Sequence, residues 1–93
     1  MAIQKEFVVR YRGEGHVRFH IPARATQVEI AERITDQVSA IAGVYAVNVF
    51  RRSGKLVIRY DEGVCSFIEL AKQLHAILGA LEQQGWFAPK VVA

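Results

Sequence analysis

Three imidazoles, one thiol and a set of cations are the side chains in this sequence with chemistry to offer: His16, His20 and His75, Cys65, and among the cations Arg18, Arg24, Arg51, Arg52, Lys55 and Arg59. Imidazole nitrogens suit divalent first-row metals, so Fe(II) or Zn(II) is the one cofactor these residues suggest. His20 is the first candidate ligand and His16 the second. Their four-residue separation spans about 13 Å at strand rise, too far for one tetrahedral ion to bridge. Structural zinc usually takes four ligands, so either histidine needs donors from elsewhere. The alternative is that both are polar residues on an open sheet face. Cys65 comes just before a helix start, where a thiolate gains modest stabilisation; without a paired base it reads as structural. His75 reads as a surface residue. No Ser-His-Asp arrangement, phosphate loop or catalytic carboxylate pair appears, and the chain is expected not to be an enzyme.

The elements that position these groups follow from periodicity. From 7 to 12 the chain alternates, with Phe7, Val9 and Tyr11 on one side and Val8, Arg10 and Arg12 on the other. Gly13-Glu14-Gly15 reads as a turn or bulge. Val17, Phe19 and Ile21 then alternate with His16, Arg18 and His20, the signature of a half-buried strand that Pro22 ends. Thr26-Gln27-Val28-Glu29 has the form of a capping box, followed by Ile30, Ile34, Val38 and Ile41 at helical spacing up to Gly43. Val44 to Arg51 and Lys55 to Tyr60 form a strand pair about a turn at Arg52-Ser53-Gly54. Ser66-Phe67-Ile68-Glu69 opens a second helix with a stripe from Phe67 to Leu81, closed at Gly85. Residues 86–92 read as a short edge strand because of Pro89.

Strand, helix, strand, strand, helix, strand is the ferredoxin-like βαββαβ order. It predicts an α+β sandwich with a four-stranded antiparallel sheet and two helices on one face. The segment at 7–12 is extra to this count; it either extends the first strand through a bulge or adds a strand by hairpin pairing. Residues 1–6 are expected to be flexible, and 1–93 to form one domain. Tracing the strands up and down puts the 20–26 loop, the 51–55 turn and the 83–86 turn at one end. Arg24, Arg51, Arg52 and Lys55 gather there beside His20. Arg18 and Arg59 lie on the open face, and Cys65 and the Asp61-Glu62 pair fall at the opposite end. Such cations disfavour a bound metal and suit an acidic partner surface or a phosphate-bearing ligand; the alternative is an ordinary solvated cluster.

Gly43-Val44-Tyr45-Ala46-Val47-Asn48-Val49, with Leu56-Val57-Ile58-Arg59-Tyr60-Asp61 after it, resembles the heavy-metal-associated domain. Gly15-His16-Val17-Arg18-Phe19-His20-Ile21-Pro22 is similar to the cysteine-free branch of that family, in which an arginine-bearing strand replaces the thiolate metal loop. The resemblance spans roughly residues 15–83. It implies an accessory or regulatory role in metal homeostasis, with iron a candidate, beside a metal-transporting P-type ATPase or another such domain, as in ferrosome-type iron systems. His20-Ile21-Pro22-Ala23 stands where typical members carry two cysteines, so thiolate exchange of soft metals is not available.

The bulk numbers fit this picture. Ninety-three residues with 52% hydrophobic content suffice for one core, and the charge of +3, from 12 basic and 9 acidic residues, is mild. A single cysteine excludes an internal disulfide and suits a reducing compartment. Residues 1–6 lack a secretory apolar stretch, and no run is long enough to span a bilayer. The expectation is a cytoplasmic chain, recruited at most to a membrane or compartment surface. An unpaired sheet edge makes a homo-oligomer plausible. The rival reading is a metal-independent scaffolding or RNA-binding module: RNA-recognition domains share this topology, but the Lys55–Tyr60 strand lacks their glycine-aromatic pattern.

Overall fold

Alternating strands and striped helices assemble as the periodicity predicts. The computed structural model describes residues 2–88. Its strands are β1 (Val8–Gly13), β2 (His16–His20), β3 (Val44–Phe50) and β4 (Lys55–Tyr60); its helices are α1 (Val28–Ser39) and α2 (Phe67–Gln83). Short 3-10 turns cover Ile3–Glu6 and Ala23–Thr26. The sheet is antiparallel throughout, in the order β1-β2-β4-β3. The result is an α+β domain with a four-stranded antiparallel sheet and two helices, consistent with a ferredoxin-like arrangement.

One face of the sheet makes the core. Val17 and Phe19 of β2 and Leu56, Ile58 and Tyr60 of β4 are buried against Ile30, Ile34 and Val38 of α1 and Leu70, Leu74, Leu78 and Leu81 of α2. Each buried aliphatic or aromatic side chain contributes roughly 1.5–3 kcal/mol of transfer free energy, which sets the orientation of both helices.

The edge beside β2 is where sequence and structure differ in detail. Residues 8–13 resolve the two alternatives by hairpin pairing, and β1 takes that edge position. Residues 84–88 form turns and a bend after α2, with Phe87 buried, in place of the start of a final strand. The remainder of the expected 86–92 strand lies outside the described residues.

Residues 3–6 also depart from expectation: they are packed, not loose. Ile3 is fully buried, its N–H donates to Glu82 Oε2 at 3.1 Å, and Glu6 pairs with Arg24. The cause is apolar burial at Ile3 reinforced by two long-range polar ties.

The helix starts divide. Ser66 caps α2 by accepting from the Glu69 N–H at 3.1 Å, as the capping-box pattern predicts. Thr26 does not cap α1: it is the last residue of the preceding 3-10 turn, where its hydroxyl donates to the Ala23 carbonyl at 2.6 Å. The helix therefore begins after Gln27, which makes no side-chain cap bond. It ends at Ser39, four residues before Gly43, where the Ala40 N–H donates to the Gln37 carbonyl at 3.3 Å and the Ile41 N–H to the Val38 carbonyl at 3.1 Å, tightening the last turn.

Candidate functional site

The face of the sheet turned away from the helices is built from every second strand residue. β2 and β4 are in continuous register, with His16 opposite Arg59, Arg18 opposite Val57 and His20 opposite Lys55. β3 adds Ala46, Asn48 and Phe50 beside Arg59, Val57 and Lys55. β1 adds Val8 beside His20, Tyr11 beside Arg18 and Gly13 beside His16. Three permanent cations and two imidazoles thus share a surface on which the paired strand positions supply no carboxylate.

A bulge decides which side chains β1 contributes. The register shifts between Val9 and Tyr11, so Arg10 is the extra residue and alternation changes phase there. Tyr11 consequently leaves the side of Phe7 and Val9 and joins the open face, against the uninterrupted alternation predicted for 7–12. Its ring lies 5.3 Å from that of His16, and the Arg18 guanidinium sits 5.7 Å from its centroid. Arg12 moves to the helix side, 4.0 Å over the Phe67 ring. Tyr11 and Phe50, 47% and 51% exposed, thereby flank the cationic centre from opposite edge strands.

The two poles of the domain carry opposite charges. Ile21 N–H donates to the Gly54 carbonyl at 2.9 Å, holding the His20 end of β2 against the 51–54 turn. At that pole the predicted cations separate into two kinds. Arg24 is committed to Glu6 and to the Phe87 carbonyl at 3.1 Å, and Arg51 Nε donates to the Thr26 carbonyl at 2.7 Å. Both brace the fold. Arg52 and Lys55 at that pole, like Arg18 and Arg59 on the open face, have no hydrogen bond or ion pair among the described residues and remain available to a ligand. The opposite pole carries Glu14, Asp61 and Glu62, with Glu62 Oε1 accepting from the Gly15 N–H at 3.0 Å.

The donor set around His20 and His16 fits a first-row metal poorly. Their direct cross-strand neighbours are Lys55 and Arg59, and a unit cation about 7 Å from a divalent ion costs roughly 1–5 kcal/mol before screening. Among the described residues no three His, Cys, Asp or Glu side chains converge as a ligand group. His75 is exposed on α2. Cys65 is buried at the acidic pole, its thiol 3.5 Å from the Ser66 carbonyl. Burial, and then the Glu69 carboxylate, push that thiol up. Desolvation outweighs the helix-start stabilisation expected for it, which suits a structural role.

Tyr11, Asn48 and Phe50 are the aromatic and polar members of this surface that the sequence did not single out. The alternation from Val44 placed Asn48 and Phe50 opposite Val47 and Val49, and that was their available signal; Tyr11 was hidden by the bulge. Among the described residues no helix is long and apolar enough to cross a membrane. Compared with protein-family models, with curated proteins and with solved structures, the chain has no match.

Proposed function

We propose that this chain is a non-enzymatic docking module whose open sheet face receives an acidic surface of a partner protein. The observation that carries the reading is the grouping of Arg18, Lys55 and Arg59 on paired strands, without a carboxylate among the paired positions of that face. Exposed Tyr11 and Phe50 at its margins supply apolar contact area, the combination of aromatic and arginine anchors that concentrates binding energy in interfaces. The motif resemblance to cysteine-free heavy-metal-associated domains suggests the setting: an accessory role in metal homeostasis, with a metal-transporting ATPase or a related domain as partner. In this reading His16 and His20 belong to the docking face and do not form a metal site.

The double variant Arg18→Glu/Arg59→Glu tests the reading. A fluorescent glutamate-rich peptide should bind the wild-type chain with an affinity that falls as salt is raised. The variant should bind at least about tenfold more weakly, with an unchanged circular dichroism spectrum because both positions are exposed. Equal binding by the two proteins would sink the proposal. A labelled single-stranded RNA belongs in the same experiment, since Tyr11 and Phe50 are exposed among cations. Protein docking is preferred because the outward positions of the central strands β2 and β4 include no Phe, Tyr or Trp, whereas RNA-recognition sheets stack bases on such aromatics.

The metal question has its own expected result. Zinc(II) titration should give the same uptake for wild type and His20→Ala, because Lys55 opposes a cation at that imidazole. Stoichiometric uptake that disappears in His20→Ala would return the histidine to the ligand role.

A further inference from the structure

The two free edges of the sheet are unlike each other. β1 carries Arg10 and Arg12 and is broken near its middle by a bulge at Arg10, two of the devices that protect an edge from pairing with another chain. β3 reads Val-Tyr-Ala-Val-Asn-Val-Phe, seven residues with no charge, proline or glycine. Its bulge lies at Tyr45, close to one end, and leaves Ala46–Phe50 regular. Val44, Val47 and Val49 are only half-buried at the margin of the core, while Tyr45 is 69% exposed. Among the described residues nothing on this edge opposes strand addition.

We infer that β3 is a self-association edge, and that two copies of this chain pair their β3 strands antiparallel about a two-fold axis at Asn48. Three features select a second copy as the occupant. Centring on Asn48 sets the two side-chain amides opposite each other, where each donates to and accepts from its mate. The same register places Ala46 against the partner copy's Phe50 position, small against large, and Val47 against its Val49 position, so that half-buried valines complete their cover. Charge completes the match. β3 runs at one end into Arg51 and Arg52, while its other end adjoins Asp61, whose N–H donates to the Gly43 carbonyl at 2.8 Å. Antiparallel pairing brings the Arg52 end of each copy beside the Asp61-Glu62 end of the other. Pairing of two β1 edges would instead oppose arginines. The joined sheets present two basic faces side by side, whichever ligand those faces take.

Sedimentation velocity from about 1 μM to about 1 mM tests this. The wild-type chain should shift from monomer to dimer within the range. Asn48→Lys should raise the dimer dissociation constant at least about tenfold, because it opposes two ammonium groups at the axis. An equimolar mixture of Asn48→Lys and Asn48→Asp should recover the dimer. Val9→Lys on β1 should leave it unchanged. A wild-type chain that stays monomeric, a dimer indifferent to Asn48→Lys, a mixture that stays monomeric, or equal weakening by Val9→Lys would each overturn the inference. Asn48 is exposed, so these variants leave the core untouched.

Discussion

Ile3→Ala is expected to cost about 2–5 kcal/mol of unfolding free energy, the range for emptying a buried aliphatic site. In a domain of this size that lowers the melting temperature by roughly 10 °C or more. The expectation rests on a side chain with no exposed surface, attached to a turn held by two further ties. The backbone N–H of Ile3 reaches Glu82 on α2, and Glu6 reaches Arg24. Lys5→Ala, exposed within the same turn, should change stability by no more than about 0.5 kcal/mol. Urea denaturation of both variants decides the matter. A loss below about 1 kcal/mol for Ile3→Ala would mean that the segment is not docked in solution. Arg24 gives the prediction its functional side, because the ion pair that fixes this turn also removes a cation from the basic pole.

That the N-terminal turn packs on α2 left only an indirect trace in the sequence. α2 carries Gly79 in its interior, where glycine costs about 1 kcal/mol relative to alanine. In the structure a Cβ at Gly79 would lie 2.8 Å from Nε2 at the mobile end of the Gln4 side chain, so the N-terminal turn passes close to this position. The helix is thinned where the N-terminal turn crosses it. A glycine within an apolar stripe announces close approach without naming the approaching segment, so periodicity alone left residues 1–6 unplaced. β2, β4 and α2 were legible for the opposite reason. Their buried residues recur without interruption, so one phase fixes every side chain, and His16, Arg18 and His20 reached the open face as expected. Bulges break this logic. One extra residue at Arg10 exchanges Tyr11 and Arg12 between faces, and nothing in Val-Val-Arg-Tyr-Arg announces it. Thr26 shows a second limit, since the four-residue spacing of a capping box does not reveal that a 3-10 turn has already taken in its first residue.

Gly15→Ala should destabilise the domain by about 2–5 kcal/mol, and the comparison with Gly54→Ala isolates the cause. Both glycines sit at φ +64°, where a residue bearing a Cβ costs roughly 1–2 kcal/mol. The surroundings differ. A Cβ at Gly15 would lie 2.6 Å from the Tyr60 carbonyl oxygen, whereas at Gly54 the nearest backbone atom, the Ile21 carbonyl oxygen, is 3.3 Å away. The first forces main chain aside, while the second asks the Ile21 carbonyl only for a slight adjustment, and overpacking of the first kind adds about 1–3 kcal/mol. Gly15 also joins the β1–β2 hairpin to the end of β4, its carbonyl accepting from the Tyr60 N–H at 3.0 Å. Shifting it displaces the hairpin that carries Tyr11 and His16 beside Arg18. Gly15→Ala should therefore weaken acidic-peptide binding under conditions where the chain remains folded, and Gly54→Ala should not. Equal unfolding free energies for the two variants would show that the backbone conformation alone sets the cost, and that the contact with Tyr60 does not anchor the hairpin to the sheet.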